Sequence, residues 1–318
     1  MADIVLWLVI PCYNEEEVLP ETSSRLKTIM QSMIDREKIS SDSRIAFVND
    51  GSKDNTWSII KSLYENDSIF AGVNLARNRG HQNALLAGLM TAKAHADAVI
   101  SLDADLQDDV GVIEKMADEY ISGKDIVYGV RSSRKKDTFF KRFTAESYYK
   151  VLKMLGVDIV FNHADYRLMS KRALDGLEQF GEVNLFLRGI VPQIGYPSSI
   201  VEYERNERFA GESKYPLKKM LTFAVEGITS FSVKPLRIGV SLGFVSLMVC
   251  MIMIIFCIIQ KCLGNTVDGW ASLGASIWGV GAMQLFMMGI IGEYLGKVYL
   301  ETKHRPKYII ESVLLKEE

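Results

Sequence analysis

The sequence predicts an α/β fold built on a mostly parallel sheet and followed by two membrane-crossing helices. Three observations carry that reading. Short aliphatic runs alternate with amphipathic stretches over the first 130 residues. Four of those runs end abruptly in polar clusters, and two long uncharged runs stand near the C-terminus. Alternating strands and helices at this spacing imply parallel pairing with helices on both faces, and ligands then gather beyond the carboxyl ends of the strands.

In chain order, residues 4–10 form the first expected strand, closed by Pro11, with Asn14 as N-cap of a helix reaching about Lys38. Acids in its first turn suit the helix dipole. A second strand, residues 44–48, runs into Asn49-Asp50-Gly51-Ser52-Lys53-Asp54-Asn55-Thr56. A third, residues 72–75, leads through Arg77-Asn78-Arg79-Gly80-His81-Gln82-Asn83 into an Ala/Leu-rich helix to about Ala94. The fourth is Val99-Ile100-Ser101-Leu102, which breaks into Asp103-Ala104-Asp105-Leu106-Gln107-Asp108-Asp109 before a helix over about 110–121. Residues 125–130 supply a fifth strand.

The chain has 318 residues, 48% of them hydrophobic and 24% charged, enough for one substantial core and a second element. A net charge of −2 argues against a general nucleic-acid binder. Cys12, Cys250, Cys257 and Cys262 form no C-x-x-C pair, so neither a zinc site nor a disulfide framework is expected. The first eleven residues lack the basic region and cleavage site of a signal peptide and read as a strand.

Residues 131–150 hold seven Lys/Arg interleaved with Phe139, Phe140, Phe143, Tyr148 and Tyr149, a pattern that suits a helix on an anionic membrane surface or an ordinary solvated helix with an aromatic face. Residues 215–233 form a second amphipathic candidate. Residues 238–259 then carry no charge over 22 residues, and residues 270–292 none over 23. At ~1.5 Å per residue either run crosses a ~30 Å hydrocarbon core. Lys234, Arg237, Lys297, Lys303 and Arg305 flank the outer ends, whereas the connecting turn has Lys261 and Asp268. The positive-inside rule therefore puts the large domain and the tail in the cytoplasm, on the inner face of a cell membrane. Gly239-x-x-x-Gly243 and Gly292-x-x-x-Gly296 offer small-residue packing faces.

The acids after the fourth strand need a reason, because clustered carboxylates repel unless a cation or proton intervenes. Hard oxygen ligands with open positions suit Mg²⁺ or Mn²⁺ bridging to substrate phosphates. A solvated acidic turn is the alternative for Asp103-x-Asp105 taken by itself.

Taken together, Val9-Ile10-Pro11-x-Tyr13-Asn14-Glu15-Glu16, Asn49-Asp50-Gly51-Ser52-x-Asp54-x-Thr56, Arg77-Asn78-x-Gly80-His81-Gln82 and Asp103-Ala104-Asp105-Leu106-Gln107-Asp108 resemble the family-2 inverting glycosyltransferases. Asp165-Tyr166-Arg167-Leu168-Met169, Arg205-Asn206-x-Arg208-x-x-Gly211-x-Ser213-Lys214-Tyr215 and the two spans narrow this to the polyisoprenyl-phosphate glycosyltransferases, the bactoprenol glucosyl and dolichol-phosphate mannosyl enzymes. The resemblance covers essentially the whole chain. It departs at Arg79, where relatives often carry an aromatic, and at Asp109-Val110, where a proline frequently follows Leu-Gln-Asp.

The resemblance implies a nucleotide-diphospho-sugar transferase domain of GT-A type over residues 1–214, a juxtamembrane segment over 215–235, a two-helix membrane domain over 236–296 and a cytoplasmic tail over 297–318. It implies that Asp105 and Asp165 are catalytic and that Asp103 and Asp105 hold Mg²⁺ or Mn²⁺. Pro11, Tyr13, Glu15, Asp50, Asp103 and Gln107 would bind the nucleotide sugar. Arg131, Arg205, Arg208, Ser213 and Lys214 would bind the acceptor phosphate. Asp165 would orient or deprotonate that phosphate, and His81 is expected to serve the fold rather than the chemistry. The implied reaction moves a hexose, expected to be glucose from UDP-glucose, to undecaprenyl phosphate for cell-envelope glycan modification, by a homo-oligomer expected to be a tetramer. GDP-mannose, a UDP-amino-sugar or UDP-4-formamido-arabinose are alternative donors. An inactive membrane-tethered scaffold is the reading from another class.

Overall fold

A computed structural model describes residues 4–131, 163–183, 185–204, 233–264 and 269–316. The chain divides into two compact units, Met1–Lys150 with Asp158–Pro216 and Arg305–Glu318, and Val151–Val157 with Leu217–His304. The basic-aromatic candidate at 131–156 and the amphipathic segment at 215–235 lie almost wholly outside the described residues, as do Arg205, Arg208, Ser213 and Lys214.

Among the described residues, the first unit holds an eight-stranded mixed sheet. Its elements in chain order are β1 (Leu6–Cys12), α1 (Leu19–Asp35), β2 (Arg44–Asn49), α2 (Thr56–Asn66), β3 (Phe70–Leu75), α3 (His81–Lys93), β4 (Ala98–Ser101), α4 (Val112–Ile121), β5 (Ile126–Arg131), β6 (His163–Ser170), α5 (Lys171–Glu178), α6 (Leu187–Ile190), a short 3₁₀ turn (Val191–Ile194), β7 (Ser198–Tyr203) and β8 (Ile310–Leu314). The order across the sheet is β7-β5-β6-β4-β1-β2-β3-β8. The β3-β2-β1-β4 core is parallel, as the strand–helix alternation predicts. Its strands are buried except for Arg44 at the start of β2, consistent with their mainly apolar composition.

Two strands depart from the expected pattern. β6 inserts antiparallel between β4 and β5, with Ser101 opposite Arg167 and Ala98 opposite Ser170. β8 pairs antiparallel with β3, so the expected tail returns to close a sheet edge. Such closure covers the unpaired groups that an edge strand presents. Lys307 Nζ donates to the Phe180 carbonyl at 2.9 Å and further holds the returning segment.

The first strand and helix also differ in detail. β1 runs one residue past Pro11 instead of closing before it. Pairing to β4 stops at Val9, so Pro11, opposite Val48 of β2, lies beyond the last rung on its other side. A missing N–H is tolerated there. Asn14 is not a helix cap: it takes a φ of 56° in the loop, and its Oδ1 accepts the Lys53 N–H at 2.9 Å. The helix begins instead at Leu19, with Pro20 in its first turn, where a proline's missing N–H costs nothing.

Helix α3 packs against β1 and β2 through Gly88, where an added Cβ would stand 2.5 Å from both Val9 Cγ1 and Val48 Cγ2. A glycine inside a helix costs roughly 1 kcal/mol relative to alanine. Here it permits an approach that any side chain would block.

The second unit contains α7 (Lys234–Cys262) and α8 (Trp270–Thr302). Among the described residues one helix segment, Lys234–Gln260, meets the length and hydropathy needed to cross a membrane. α8 opens with the second uncharged run and ends with Glu293, Lys297 and Glu301. Phe244, Leu247 and Ile252 of α7, like Trp278, Leu285 and Phe286 of α8, expose most of their surface. Of the four glycines in the two spaced pairs, Gly239 meets Met287 of the facing helix, while Gly243, Gly292 and Gly296 have open space.

Gly88→Val is expected to destabilise the first unit by about 2–3 kcal/mol through overpacking, read as a lowered thermal midpoint of the detergent-solubilised chain. A wild-type midpoint would show that the α3–β1–β2 contact yields without strain.

Candidate active site

The carboxyl ends of β1, β2, β3 and β4 meet on one rim of the sheet, and the polar clusters of the sequence lie in the loops that follow them. Because β6 runs antiparallel to β4, its N-terminal half reaches the same rim and brings Asp165 there.

The loops are stitched to one another. Asn14 N–H donates to Ser52 Oγ at 3.0 Å, and Glu15 N–H to Thr56 Oγ1 at 2.9 Å. Asp54 accepts from the Glu16 N–H and from the Thr56 N–H and hydroxyl, so it serves both loops. Gly51 has φ +63°, and a Cβ there would lie 2.5 Å from the Asn78 nitrogen. Only glycine suits both that conformation and that approach. Asp50, buried at the end of β2, thereby accepts the backbone N–H groups of Arg79 at 2.7 Å and Gly80 at 2.9 Å. Burial raises its pKa despite those two donors and His81. Pro11 is buried, Tyr13 is 42% exposed, and Glu15 is half-buried at the start of the first loop.

The turn after β4 is strained. Leu106 adopts a φ of 56° while burying its side chain, and Asp105 Oδ1 accepts the Gln107 N–H at 3.2 Å. A non-glycine residue in the left-handed region costs of order 1–3 kcal/mol and persists where surroundings impose it. Ala104 is buried beneath, and its carbonyl accepts the Thr22 hydroxyl of α1 at 2.7 Å. Asp103, Asp105 and Gln107 are thus half-exposed on a turn that is anchored from below.

Asp108 points the other way: it is buried, accepts from the Tyr203 hydroxyl, and lies 3.5 Å from Arg131. Arg131 Nε also lies 3.4 Å from the Tyr203 hydroxyl. The structure therefore places Arg131 in a buried polar cluster with β7.

Asp165 is engaged from several sides. It is buried beside Arg167, whose Nη2 donates to Oδ1 at 2.7 Å. Arg188 of α6 spans both carboxylate oxygens, Nε at 3.2 Å and Nη2 at 3.1 Å. Gln82 Nε2 approaches Oδ2 at 3.4 Å, while its Oε1 accepts the Leu187 N–H at 3.1 Å. His81 Nε2 stands 3.6 Å from Asp165 and 3.5 Å from Asp103, so one imidazole joins the two acids. Burial would raise the Asp165 pKa, but Arg188, His81 and Arg167 together hold it well below the usual carboxylate range. For His81, burial is outweighed by Asp165 and Asp103, and its pKa rises. Arg188, 38% exposed, and Gln82 were not singled out in the sequence. An arginine in an apolar stretch, Phe186-Leu187-Arg188-Gly189-Ile190, was the available signal.

Asp103 lies in the opposite electrostatic position. Burial pushes its pKa up to about 6; His81 opposes the rise, while Asp165, Asp108 and Asp105 add to it. Its side chain keeps 37% exposure. A carboxylate crowded by three others and open to the rim is stabilised by either a proton or a nearby cation. Among the described residues no group of three or more His, Cys, Asp or Glu stands ready to hold a metal. Two aspartates fit the manner in which Mg²⁺ binds, through one or two carboxylates with water and substrate phosphates completing the shell.

This rim on this sheet defines a nucleotide-sugar transferase fold of GT-A type. The chain belongs to glycosyl transferase family 2, which residues 7–177 match, and residues 234–298 match the GtrB C-terminal hairpin. It is 54% identical to the uncharacterized glycosyltransferase YkoT of Bacillus subtilis, over 99% of this chain and 93% of the relative. It is 42% identical to the prophage bactoprenol glucosyl transferase homolog of Escherichia coli, over 96% and 98%. The bactoprenol glucosyl transferase of Shigella phage SfV is 40% identical, over 96% and 97%.

Asp165→Asn is expected to destabilise the first unit by about 3 kcal/mol, because it leaves the fully buried Arg167 without its counter-charge. The depressed pKa fixes the pH sense: the stabilisation is complete above the ordinary carboxylate range and lost as pH falls through the lower folded-state value. Acid unfolding followed by circular dichroism should therefore show a shallower acid limb in Asp165→Asn than in wild type. Coincident curves would remove the carboxylate from this role.

Proposed function

We propose that this chain transfers a hexose from a nucleotide diphosphate donor, with UDP-glucose the donor expected, to a polyisoprenyl phosphate at a membrane surface, inverting the anomeric configuration. The carrying observation is that the half-exposed Asp103 and Asp105 share a rim with a clamped Asp165, in a chain that continues into an apolar helix. The names of the Escherichia coli and Shigella phage relatives support a bactoprenol acceptor and glucose.

In this reading Tyr13, Glu15 and Asp50 lie along the nucleoside, and Gln107 lies beside the sugar. Asp103 and Asp105 would hold Mg²⁺ or Mn²⁺, which when bound supplies positive charge to the departing diphosphate. An acceptor phosphate oxygen forms the new bond to the anomeric carbon as the carbon–oxygen bond to the diphosphate breaks, and the nucleoside diphosphate leaves with the electron pair. A phosphate monoester is largely ionised near neutral pH, so no strong base is required. Asp165 suits that requirement: held ionised by Arg188, His81 and Arg167, it is a weak base and a firm template. It keeps Arg188 and His81 in place, and Arg188 carries positive charge to the rim where two phosphates must meet. Arg205, Arg208, Ser213 and Lys214 complete the acceptor side in this proposal, whereas Arg131 is engaged by Asp108 and Tyr203. α7 and α8 cross the membrane as a hairpin with both ends cytoplasmic, and oligomerisation as a tetramer accompanies it.

The test is transfer of radiolabel from a panel of nucleotide sugars to undecaprenyl phosphate in detergent, with Mg²⁺, Mn²⁺ or EDTA. One labelled lipid, lost in EDTA, is the expected result. Nucleotide binding without transfer from any donor would overturn the reading in favour of a tethered scaffold. Asp105→Asn should lower turnover by about 10²–10³-fold, the scale seen when one group stabilising transition-state charge is removed; turnover within a few-fold of wild type would take Asp105 out of the machinery.

A further inference from the structure

Strand β8 does more than cover an edge. Glu311 Oε2 accepts from Asn74 Nδ2 at 2.7 Å. Asn74 Oδ1 in turn accepts from Asn49 Nδ2 at 2.7 Å, and Asn49 Oδ1 accepts the Ser52 N–H at 3.2 Å. Ser52 Oγ accepts the Asn14 N–H. Asn49 and Asn74 are buried and face one another across the β2–β3 register. The chain of bonds therefore runs from the C-terminal strand, beneath the sheet rim, to the loops after β2 and β1.

Its direction is set at one end. An amide presents a donor on one side and an acceptor on the other, whereas a carboxylate only accepts. Glu311 therefore obliges Asn74 to turn its NH₂ outward and its oxygen toward Asn49. Asn49 must then give its NH₂ to Asn74 and its oxygen to the Ser52 N–H. With Asn49 reversed, donor would face donor at Ser52; with Asn74 alone reversed, donor would face donor at Asn49 and oxygen would face oxygen at Glu311. Each unmet polar group costs about 1–3 kcal/mol.

We propose that Glu311 is a positioning residue for the donor nucleotide, orienting through Asn74 and Asn49 the two loops that carry Tyr13, Glu15 and Asp50. This rests on the proposed donor site. A strand that merely closes the edge would need no acceptor at this position. β8 follows α8 in the chain, so the membrane hairpin is covalently continuous with a strand that sets the donor loops.

The test uses the full-length chain in detergent with two readouts: amide hydrogen exchange at Ser52 and Asn14, and calorimetric affinity for UDP and GDP. Glu311→Lys offers only donors and reverses the relay. Exchange at both amides should quicken, and the tighter nucleotide should weaken, each by about tenfold, the equivalent of one lost hydrogen bond. Turnover at saturating donor should stay within about twofold, a KM effect rather than a kcat effect. Adding Asn74→Asp supplies a carboxylate that accepts from both the new ammonium and Asn49, and should restore exchange and affinity together. Glu311→Ala, which introduces no charge, should fall between wild type and Glu311→Lys. Unchanged exchange and affinity in both single variants, or a folded double variant that restores neither, overturns the relay. If the wild-type chain binds neither nucleotide, the donor-site reading falls on that result alone, and exchange still decides whether Glu311 orders the loops.

Discussion

The structure depends on a closed ring of hydrogen bonds around one buried carboxylate. Asp165 accepts from Arg167; Arg167 Nη1 donates to the Leu187 carbonyl; the Leu187 N–H donates to Gln82; and Gln82 returns to Asp165. The ring ties β6 to α6 and to the first turn of α3. Arg167 is fully buried, so its charge is tolerable only while Asp165 remains ionised beside it. A buried ion pair is weak evidence for net stability, but it specifies one arrangement strongly, because every alternative leaves a charge unmet. Here that arrangement is the antiparallel register of β6 against β4. A slip of one residue would turn Asp165 and Arg167 to the opposite face of the sheet.

Register then becomes chemistry. A parallel strand beside β4 would have delivered its C-terminal end to the rim, with the helix that follows. The antiparallel strand delivers an N-terminal end, and with it an acid opposite Asp103 across His81. The two acids meet opposite electrostatic fates a few ångströms apart. Asp165 is surrounded by two arginines and a histidine, while Asp103 is crowded by three aspartates. Asp165 is held as an anion, whereas burial, reinforced by the neighbouring aspartates, raises Asp103. Two carboxylates of one rim are thus driven apart in pKa by their surroundings.

Much of this was legible in the sequence, and what escaped has identifiable physical causes. β1 to β4 announced themselves because strands buried on both faces must be continuously aliphatic, and the polar clusters marked where each one left the sheet. β6 did not, because its eight residues, His-Ala-Asp-Tyr-Arg-Leu-Met-Ser, include the buried ion pair, which interrupts the apolar pattern. β8 was hidden for a related reason: its five residues, Ile-Glu-Ser-Val-Leu, alternate in exposure but not in hydropathy, so they do not stand out from a tail. Asn14 looked like a cap because asparagine suits both N-caps and the left-handed conformation it adopts here, and local sequence does not separate the two. Among the residues of the rim, the sequence motifs single out the Asp-x-Asp turn and Asp165. Arg188 and Gln82 were not singled out, since their importance lies in contacts made across 23 and 83 residues of chain.

The left-handed residues Asn14 and Leu106 add a last link between fold and chemistry. Both sit on rim loops, after β1 and β4, and each is held by tertiary contacts rather than by its own preference: Asn14 through Ser52 and Lys53, Leu106 by burial. Strain that is maintained from outside is released when the outside contact is lost. On the proposed function, a site that holds a nucleotide and two phosphate groups in one geometry gains from loops with no independent freedom, because ordering them is then settled during folding rather than at each binding event. The relay from Glu311 and the ring around Asp165 act on the two ends of this rim in the same way. Each converts a distant, unreactive contact into the placement of a reactive one. The catalytic geometry is therefore a property of the sheet's two antiparallel additions, β6 and β8, imposed on a parallel core that supplies the loops.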